Sequence, residues 1–538
     1  MSLDYNRTLV DVFAESFGKY TDSPAFTCMG QTLTFGELDE LSARFAAWLQ
    51  QSTSLKPGDR IAVQLPNVLQ YPVVVFGAIR AGLVVVNTNP LYTSHELKHQ
   101  LSDSGAKVLV VLANIAKAAS EIIDQTSVER VIVTEIADLH SPLKRVLLNF
   151  AVRYIKKMVP EFSFAHQIAF RDTLNYQADS WKRVNVVPDD VAVLQYTGGT
   201  TGVAKGAMLT HRNLVANMLQ VNEHMKAVFR PNQQTYIAPL PLYHIYAFTI
   251  HCTSALSLGN HNVLIPNPRD IKAFVATLKK TPFTCFVGLN TLFNALLRNA
   301  DFRQLDFSKV ELTSSGGMAL TAETAKQWSQ LTGSAISEGY GLTETSPVVC
   351  INPPGKVQLG TVGTPMPETD CKVIDENGKT LPAGEPGELC IRGPQVMKGY
   401  WQREDATAEV LDADGWFKSG DIAIIQDDGY IRIVDRKKDM INVSGFKVFP
   451  NEVEDALSAH PDIVEVAVVG VQDDDGSEVV KAFVVSSNPD LTAKAVREFA
   501  KTRLTPYKVP HQVEFRKELP KSNVGKVLRR ELKTPAKK

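Results

Sequence analysis

Two segments of the chain contain residues suited to chemistry on a phosphate. Residues 196–206 read YTGGTTGVAKG, and residues 520–526 read PKSNVGK. Glycines let backbone N–H groups approach phosphate oxygens, and threonine hydroxyls add hydrogen-bond donors. A carboxylate is a poor electrophile, so its activation needs a phosphate leaving group and a cation that spreads the developing charge. We interpret the first segment as a binding loop for the phosphates of ATP and Lys526 as the mobile cation. Together they predict that a carboxylate attacks the nucleotide.

The glycine-rich segment does not match the common phosphate-loop motif. The template G-x-x-x-x-G-K-[ST], counted from Gly199, requires Gly and Ser or Thr where the chain has Ala204 and Gly206. Residues 207–209 also separate the loop from the next predicted helix, so no helix N-terminus points at the phosphates. A plain turn between strands is the alternative, but three threonines among three glycines, ending in Lys205, favour anion binding.

The elements that must position these segments alternate between helix and strand in the first half of the chain. The pattern predicts a largely buried helix at 67–81 and buried strands at 83–86 and 191–194. Thr210 is the expected N-cap of a helix that continues to Leu219. Helices that alternate with apolar strands predict an α/β fold.

The second half of the chain changes in character. Glycine and proline recur at short intervals in residues 355–434, which predicts a β-rich, barrel-like subdomain. A compact α+β end domain is expected from Asp435 onward, with helices at 452–458 and 493–504 and strands at 464–471 and 479–485. We therefore predict a large N-terminal domain of α/β subdomains, residues 1–434, and a small C-terminal domain, residues 435–538.

Composition narrows the class of protein. The 538 residues exceed what one core supports, and a net charge of −1 argues against a nucleic-acid binder. The six cysteines have no metal or redox spacing, which is typical of reduced thiols in a cytoplasmic protein. No secretory signal and no apolar stretch long enough to cross a bilayer is apparent.

Three further motifs carry a family resemblance. Residues 337–345 read SEGYGLTET, residues 414–421 read DGWFKSGD, and residues 431–439 read IRIVDRKKD. In this order they resemble the adenylate-forming superfamily, and most closely its bacterial long-chain fatty-acid–CoA ligases. The resemblance implies that ATP activates a long-chain fatty acid as an acyl-adenylate, which CoA converts to acyl-CoA with release of AMP and pyrophosphate.

The resemblance also implies a role for individual residues. Asp421 accepts hydrogen bonds from the ribose, Arg436 adds a guanidinium fork, and Glu344 with Thr197 binds Mg²⁺, which prefers oxygen ligands. Taken alone, Glu344 reads as a surface carboxylate. The residues implied in ATP binding are Thr197, Gly198, Gly199, Thr200, Thr201, Gly202, Lys205, Gly316, Gly317, Gly339, Tyr340, Thr343, Asp421, Arg436 and Lys526.

Two half-reactions are implied to share one site. Asp435 matches the hinge about which the small domain moves. Lys526 serves the first step, and Ser444 with Gly445 lines the channel for the CoA thiol in the second. His244 matches a position beside the substrate carboxylate, where we expect positioning more than proton transfer, although a lone histidine among apolar residues is more often part of the core. The departures from the family pattern are Asn442 and Lys447, both in the loop of the second step.

Residues 144–159 form a cationic amphipathic pattern. On a helix the apolar residues make one continuous face, and all but one of the basic residues lie opposite. Such a helix suits the surface of an anionic bilayer, so we predict peripheral contact with the inner face of the membrane. The alternative is that the apolar face packs on its own domain. A homodimer is expected only because it is the commonest assembly.

Other functions stay open at this point. The chain could load a carrier protein instead of free CoA, and Lys447 keeps that alternative open. It could prefer a medium-chain acid. A nucleotide-binding scaffold without turnover is a third alternative, but it should have lost Lys526, Glu344 or Asp421, and all three are present.

Overall fold

A computed structural model describes residues 3–197, 204–443, 446–473, 477–521 and 527–533. Its two largest sheets are mainly parallel, which confirms the predicted α/β class. In the seven-stranded sheet all neighbouring strands are parallel except the last pair. Its strands, in spatial order, are Gln167–Ala169, Arg130–Thr134, Val108–Leu112, Arg60–Gln64, Val84–Asn87, Val191–Tyr196 and Gly206–Thr210.

A nine-stranded sheet forms the second layer. Its central strands are parallel, and antiparallel pairs close both ends. In spatial order the strands are Thr364–Pro365, Val348–Ile351, Ile336–Gly341, Leu312–Ser315, Cys285–Gly288, Thr235–Ala238, His261–Leu264, Pro24–Cys28 and Gln31–Thr34. Side chains from both large sheets belong to one continuous apolar core.

The β-rich part and the C-terminal lobe have sheets of their own. The β-rich part is a four-stranded antiparallel sheet of Asp370–Ile374, Gly387–Arg392, Phe417–Ile425 and Ile431–Arg436. The C-terminal lobe contains the hairpin Ile441–Val443 and Phe446–Val448 and the sheet Ile463–Gln472, Glu478–Ser486 and Gln512–Phe515. The predicted β-rich subdomain and small α+β lobe are thus confirmed as parts of the fold.

Helices cover the sheets and connect their strands. The α-helices are Leu9–Lys19, Phe35–Ser52, Gln70–Arg80, Ser94–Ser104, Ala116–Ser120, Pro142–Phe150, His211–His224, Ile245–Ala247, Ala255–Ser257, Ile271–Lys280, Asn290–Leu297, Ala322–Thr332, Glu404–Val410, Pro450–Ser458, Ala493–Lys501 and Arg529–Lys533. Ala151–Ile155 and Phe248–Ser254 are π-helical. Single 3₁₀ turns are Ala113–Ile115, Ile123–Gln125, Phe170–Leu174, Ala178–Ser180, Phe302–Gln304, Thr343–Thr345 and Pro506–Lys508. In the described part of the chain, no helix has the length and apolar character needed to span a bilayer.

Two helices begin for different reasons, one because of a local capping residue and the other because of hydrogen bonds to a distant part of the chain. The hydroxyl of Thr210 accepts the backbone N–H of Asn213 at 3.1 Å, which is the predicted cap, and the helix then runs to His224, beyond the predicted end. The predicted helix at 67–81 begins later, at Gln70. The side-chain amide of Asn67 instead donates to the carbonyls of Ala238 and Leu240, both at 2.9 Å. This contact fixes the chain before the helix and ties the two sheets together.

Candidate active site

A large cavity lies where parallel strands of both sheets end. Its volume is about 2040 Å³, and its wall includes Asn87, Tyr196 and Ser314 at the carboxyl ends of three strands. Open α/β sheets bind ligands at this edge. The C-terminal lobe supplies the opposite wall, with Asp455 and Lys521 among its lining residues. The large domain and the C-terminal lobe, which we predict to act in one reaction, therefore both line this cavity.

The predicted site residues converge on this cavity. Among those that the structure describes, every one lines it except Lys205. Those that line it are Thr197, His244, Gly316, Gly317, Gly339, Tyr340, Thr343, Glu344, Asp421, Asp435 and Arg436. The predicted residues that lie outside the described part of the chain are Gly198, Gly199, Thr200, Thr201, Gly202, Ser444, Gly445 and Lys526.

A buried carboxylate is held at one end of the cavity. Asp421 is 3% exposed, and it accepts the hydroxyl of Tyr340 at 2.6 Å and Nε of Arg436 at 2.8 Å. Asp421 and Arg436 are directly opposite each other on neighbouring antiparallel strands, so strand register sets this ion pair. Burial and the adjacent carboxylate raise the pKa of Tyr340 well above its usual value, so Tyr340 stays a donor. The arrangement fixes an acceptor that can bind hydroxyl groups of a ligand.

Tyr400 joins the glycine-rich loop to the proposed metal ligand. Its hydroxyl donates to Oε1 of Glu344 at 2.7 Å, and the ammonium of Lys205 lies 5.0 Å from the centre of its ring. Burial and the charge of Glu344 raise the pKa of Tyr400 above its usual range. The stem of the loop is closed by a hydrogen bond of 2.9 Å from the N–H of Thr197 to the carbonyl of Lys205. Sequence reasoning missed Tyr400, because no local pattern links it to Glu344.

Close packing explains why glycine is required at two positions beside the cavity. A Cβ on Gly316 would lie 3.1 Å from the ring of Tyr246, and a Cβ on Gly341 would lie 1.9 Å from the carbonyl oxygen of Pro347. Tyr246 is itself fixed, since its hydroxyl lies 3.2 Å from that of Ser314. Burial raises the pKa of Tyr246 to about 12, which keeps it neutral. This wall is therefore a flat surface against which a planar group can pack.

His244 lies at the start of a short helix and on the cavity wall. Its Nδ1 accepts the backbone N–H of Tyr246 at 3.3 Å, which caps the helix Ile245–Ala247. This bond leaves Nε2 as the nitrogen that can carry a proton. The residue is half-buried and lines the cavity, so its ring is not enclosed in the core. The position suits contact with a ligand better than the alternative of a core histidine.

Asp435 is buried and bonded on three sides. It accepts the N–H groups of Arg436 and Asn451, each at 2.7 Å, and lies 3.3 Å from a guanidinium nitrogen of Arg529. Burial raises the pKa of Asp435, and the charge of Arg529 opposes that shift. Arg529 also donates to both carboxylate oxygens of Glu454 at 2.9 Å. Sequence reasoning missed Arg529, which anchors the proposed hinge residue to the C-terminal lobe.

The two residues that depart from the family pattern have partners in the structure. The backbone N–H of Asn442 donates to Glu478 at 2.8 Å. Lys447 pairs with Glu376 at 2.9 Å, and both side chains are exposed. The second contact connects the C-terminal lobe with the β-rich part. An exposed pair of this kind contributes little to stability, so it does not by itself fix the lobe.

A third buried carboxyl, that of Glu338, is neutral at the cavity wall. It is 9% exposed and accepts the backbone N–H of Leu320 at 3.0 Å. Burial raises the pKa of Glu338 to about 8; the hydrogen bond from Leu320 opposes this, and the charge of Asp455 adds to it. The carboxyl therefore remains protonated at neutral pH in the ligand-free protein.

We expect the stability of Glu338→Gln relative to wild type to increase as the pH rises from about 5 to about 8. The folded carboxyl holds its proton to about pH 8, whereas the unfolded one ionises near 4.5, so the wild type loses stability as pH rises through this window. Glutamine does not ionise and escapes the loss. The melting temperature of the variant relative to wild type should rise between about pH 5 and about pH 8, by the equivalent of ~1–3 kcal/mol. The exposed Glu385→Gln serves as the control, and an equal difference at both pH values would contradict the assignment.

Together, the cavity at the carboxyl edge of the sheets and the buried carboxylate acceptor on its wall fit the class of nucleotide-binding α/β enzymes. The model of the AMP-binding enzyme family matches residues 13–401, and that of the AMP-binding enzyme C-terminal domain matches residues 452–526. The chain belongs to the AMP-binding enzyme family.

Similar proteins agree with this family over nearly the whole chain. A long-chain-fatty-acid–CoA ligase of Escherichia coli O6:H1 is 51% identical, with 99% of this chain and 95% of the relative covered. A long-chain-fatty-acid–CoA ligase of Salmonella typhimurium is 50% identical, with the same shares covered. Among solved structures, ATP-bound MatB from Rhodopseudomonas palustris has a TM-score of 0.80 at 29% identity, and 97% of this chain and 98% of that chain are covered.

Proposed function

We propose that this chain is a long-chain-fatty-acid–CoA ligase that forms an acyl-adenylate from ATP and transfers the acyl group to CoA. The observation that carries the proposal is the convergence of Thr197, Tyr340, Asp421 and His244 on one cavity between the large domain and the C-terminal lobe. The names of relatives that share half of its residues supply the substrate class.

ATP occupies the carboxyl-edge side of this cavity in the proposal. Asp421 and Arg436 hold the ribose, and the wall of Gly316, Gly317 and Tyr340 receives the adenine. The loop from Thr197 to Lys205 and the hydroxyl of Thr343 surround the phosphates. A buried carboxylate acceptor and close backbone approach are what these groups of a nucleotide require. The roles of the loop residues rest on the family resemblance, because Gly198, Gly199, Thr200, Thr201 and Gly202 lie outside the described residues.

Mg²⁺ fits the donors present beside the phosphate loop. The ion needs few protein ligands when substrate phosphates and water complete its octahedral shell. Glu344 supplies a carboxylate, Thr197 supplies a hydroxyl, and both line the cavity. The described residues contain no cluster of three or more His, Cys, Asp or Glu side chains for a metal. When bound, Mg²⁺ would neutralise charge on the leaving pyrophosphate.

The reaction proceeds in two displacements. A carboxylate oxygen of the fatty acid attacks the α-phosphorus of ATP, and pyrophosphate leaves with both bonding electrons. The deprotonated thiol of CoA then attacks the acyl carbon, the carbon–oxygen bond to phosphate breaks, and AMP leaves. Lys526 offsets charge in the first step, His244 positions the carboxylate, and the channel of Ser444 and Gly445 admits the thiol in the second. Asp435 is the proposed hinge between residues 1–434 and the mobile lobe 435–538.

The proposal predicts the products and the acceptor. Purified protein with Mg²⁺, ATP, palmitate and CoA should release AMP and pyrophosphate in equal amounts and no ADP. The specificity constant should rise from medium-chain to long-chain acids, and free CoA should suffice as acceptor. Release of ADP would overturn the adenylate mechanism. A requirement for a carrier protein would favour the alternative of carrier loading.

We also propose that the protein works in the cytoplasm as a peripheral protein at the inner face of the membrane, where long-chain acids accumulate. Long-chain acids partition into bilayers because each buried CH₂ contributes about 0.8 kcal/mol. A homodimer stays a prediction from the frequency of two-fold assemblies.

A further inference from the structure

The helical segment 142–158 exposes an apolar face. Its helical part is the α-helix Pro142–Phe150 followed by the π-helix Ala151–Ile155, and neither contains a buried residue. Residues 156–158 continue the chain beyond the helix. Of the thirteen large hydrophobic side chains that are exposed in the described chain, seven lie on this segment. They are Leu143, Val146, Leu147, Phe150, Tyr154, Ile155 and Met158. A cluster of exposed apolar side chains of this size on a protein surface marks an interaction site.

The segment is attached to the protein through its polar side. The side-chain oxygen of Asn149 accepts the backbone N–H of Ala137 at 3.0 Å, and Arg153 donates twice to one carboxylate oxygen of Glu135, at 3.0 and 2.7 Å. A surface helix of a globular protein normally does the reverse and buries its apolar stripe. The alternative that this apolar face packs on its own domain holds at Val159, which packs against the core, but not for the seven exposed side chains. The polar anchors turn the face outward.

Basic residues lie at both ends of the segment. The segment has five basic residues and no acidic one, although the net charge of the whole chain is −1. Arg153 is neutralised by Glu135, whereas Lys144, Arg145, Lys156 and Lys157 make no salt bridge within the described ranges. An apolar face with basic residues at both ends matches the acyl chains and anionic headgroups of a bilayer. A second copy of the chain is a poorer occupant, because face-to-face contact would bring two sets of these cations together.

The position of the segment relates it to the cavity. The strand Arg130–Thr134, which leads toward it, is parallel to Val108–Leu112, Arg60–Gln64 and Val84–Asn87. Their carboxyl ends consequently lie on the same edge of the sheet, and Asn87 at the end of the last strand lines the cavity. The two strand ends are three strand spacings apart, roughly 14 Å. The apolar face and the cavity thus share one edge of the molecule.

We infer that residues 142–158 are a docking surface for an anionic lipid bilayer, on which the protein collects long-chain acid from the membrane. The uptake of substrate rests on the proposed function, whereas the docking does not. The apolar side chains enter the boundary between headgroups and acyl chains, and Lys144, Arg145, Lys156 and Lys157 contact anionic headgroups. The ion pair of Arg153 with Glu135 holds the helix in the required orientation.

Two sets of substitutions separate the apolar and electrostatic parts of docking. One variant carries Leu147→Ser, Phe150→Ser and Ile155→Ser, and the other carries Arg145→Gln, Lys156→Gln and Lys157→Gln, with Arg153 left intact. The matched controls change exposed residues elsewhere: Val187→Ser with Phe515→Ser, and Lys272→Gln with Lys309→Gln and Lys326→Gln. Co-sedimentation with vesicles of phosphatidylglycerol and phosphatidylcholine, or of phosphatidylcholine alone, measures binding at low salt.

Wild type should bind the anionic vesicles at least about 10-fold more tightly than the neutral ones. Removal of three charges should weaken binding to anionic vesicles by about 100-fold, and the serine variant should lose binding to both. Both variants should keep wild-type turnover of a medium-chain acid in solution and lose turnover of palmitate supplied in vesicles. Controls should behave as wild type.

Wild-type vesicle binding by both patch variants would overturn the inference. If instead the serine variant changed from dimer to monomer in sedimentation while its vesicle binding was unchanged, the face would belong to a second copy of the chain. Failure of the proposed function has a different signature, namely no AMP release with any acid in solution, and vesicle binding would be unaffected by it.

Discussion

Lys526→Ala should slow formation of the acyl-adenylate by about 10³-fold and leave the second half-reaction nearly intact. The proposed ammonium acts where negative charge grows between the attacking carboxylate and the α-phosphate, and loss of one such group costs 10²–10⁵ in comparable sites. Lys526 is outside the described residues, but the residues on either side of 522–526 are described. Lys521 pairs with Val527, the N–H of Leu528 donates to Pro520 at 2.8 Å, and both Lys521 and Val527 line the cavity.

The two half-reactions can be measured separately. Release of pyrophosphate reports adenylation, and conversion of supplied palmitoyl-adenylate with CoA reports thioester formation, which should stay within about 3-fold of wild type. Lys517→Ala is the matched control, since Lys517 is exposed on the same part of the chain and has no proposed role. An equal loss of rate in both half-reactions would contradict the proposal that Lys526 acts only in the conformation that forms the adenylate.

Periodicity and caps account for much of the predicted fold. Buried strands are short apolar runs, and Thr210 caps its helix through a contact three residues away, so both are readable locally. The start of the helix at Gln70 could not be read in this way, because Asn67 is held by carbonyls more than 170 residues distant. Propensity alone allows a helix there, and the tertiary hydrogen bonds decide against it.

The site shows the same division between local and distant information. Motifs contain Tyr340, Asp421 and Arg436, but only strand register makes the last two residues direct neighbours. Tyr400 and Arg529 act on residues 56 and 94 positions away in sequence, so neither belongs to a motif with its partner. Sequence also gave no means to decide which side of 142–158 faces outward. The partners Ala137 and Glu135 decide it, and an amphipathic pattern does not specify them.

The second large effect is expected at Asp421. Asp421→Ala should reduce kcat/KM for ATP by ~10²–10⁴-fold, because the loss of two hydrogen bonds from ribose hydroxyls to a carboxylate costs ~3–6 kcal/mol. The side chain is 4% exposed and its partner Arg436 is 43% exposed, so water can solvate the guanidinium after the substitution. The protein should therefore fold, and Asp421→Asn, which preserves shape, checks this by circular dichroism and melting temperature.

The affected substrate distinguishes a ribose ligand from a structural ion pair. The Asp421 variants should bind ATP weakly, while KM for CoA stays near the wild-type value and turnover from supplied palmitoyl-adenylate falls, since that intermediate carries the same ribose. Tyr340→Phe removes one donor to Asp421 and should cost about 10-fold or less. Asp427→Ala, an exposed aspartate of the same β-rich part, should have no effect. If both Asp421 variants kept kcat/KM for ATP within about 3-fold of wild type, the assignment of Asp421 to nucleotide binding would be wrong. In that case the buried carboxylate would serve only to hold Arg436 and Tyr340 in place.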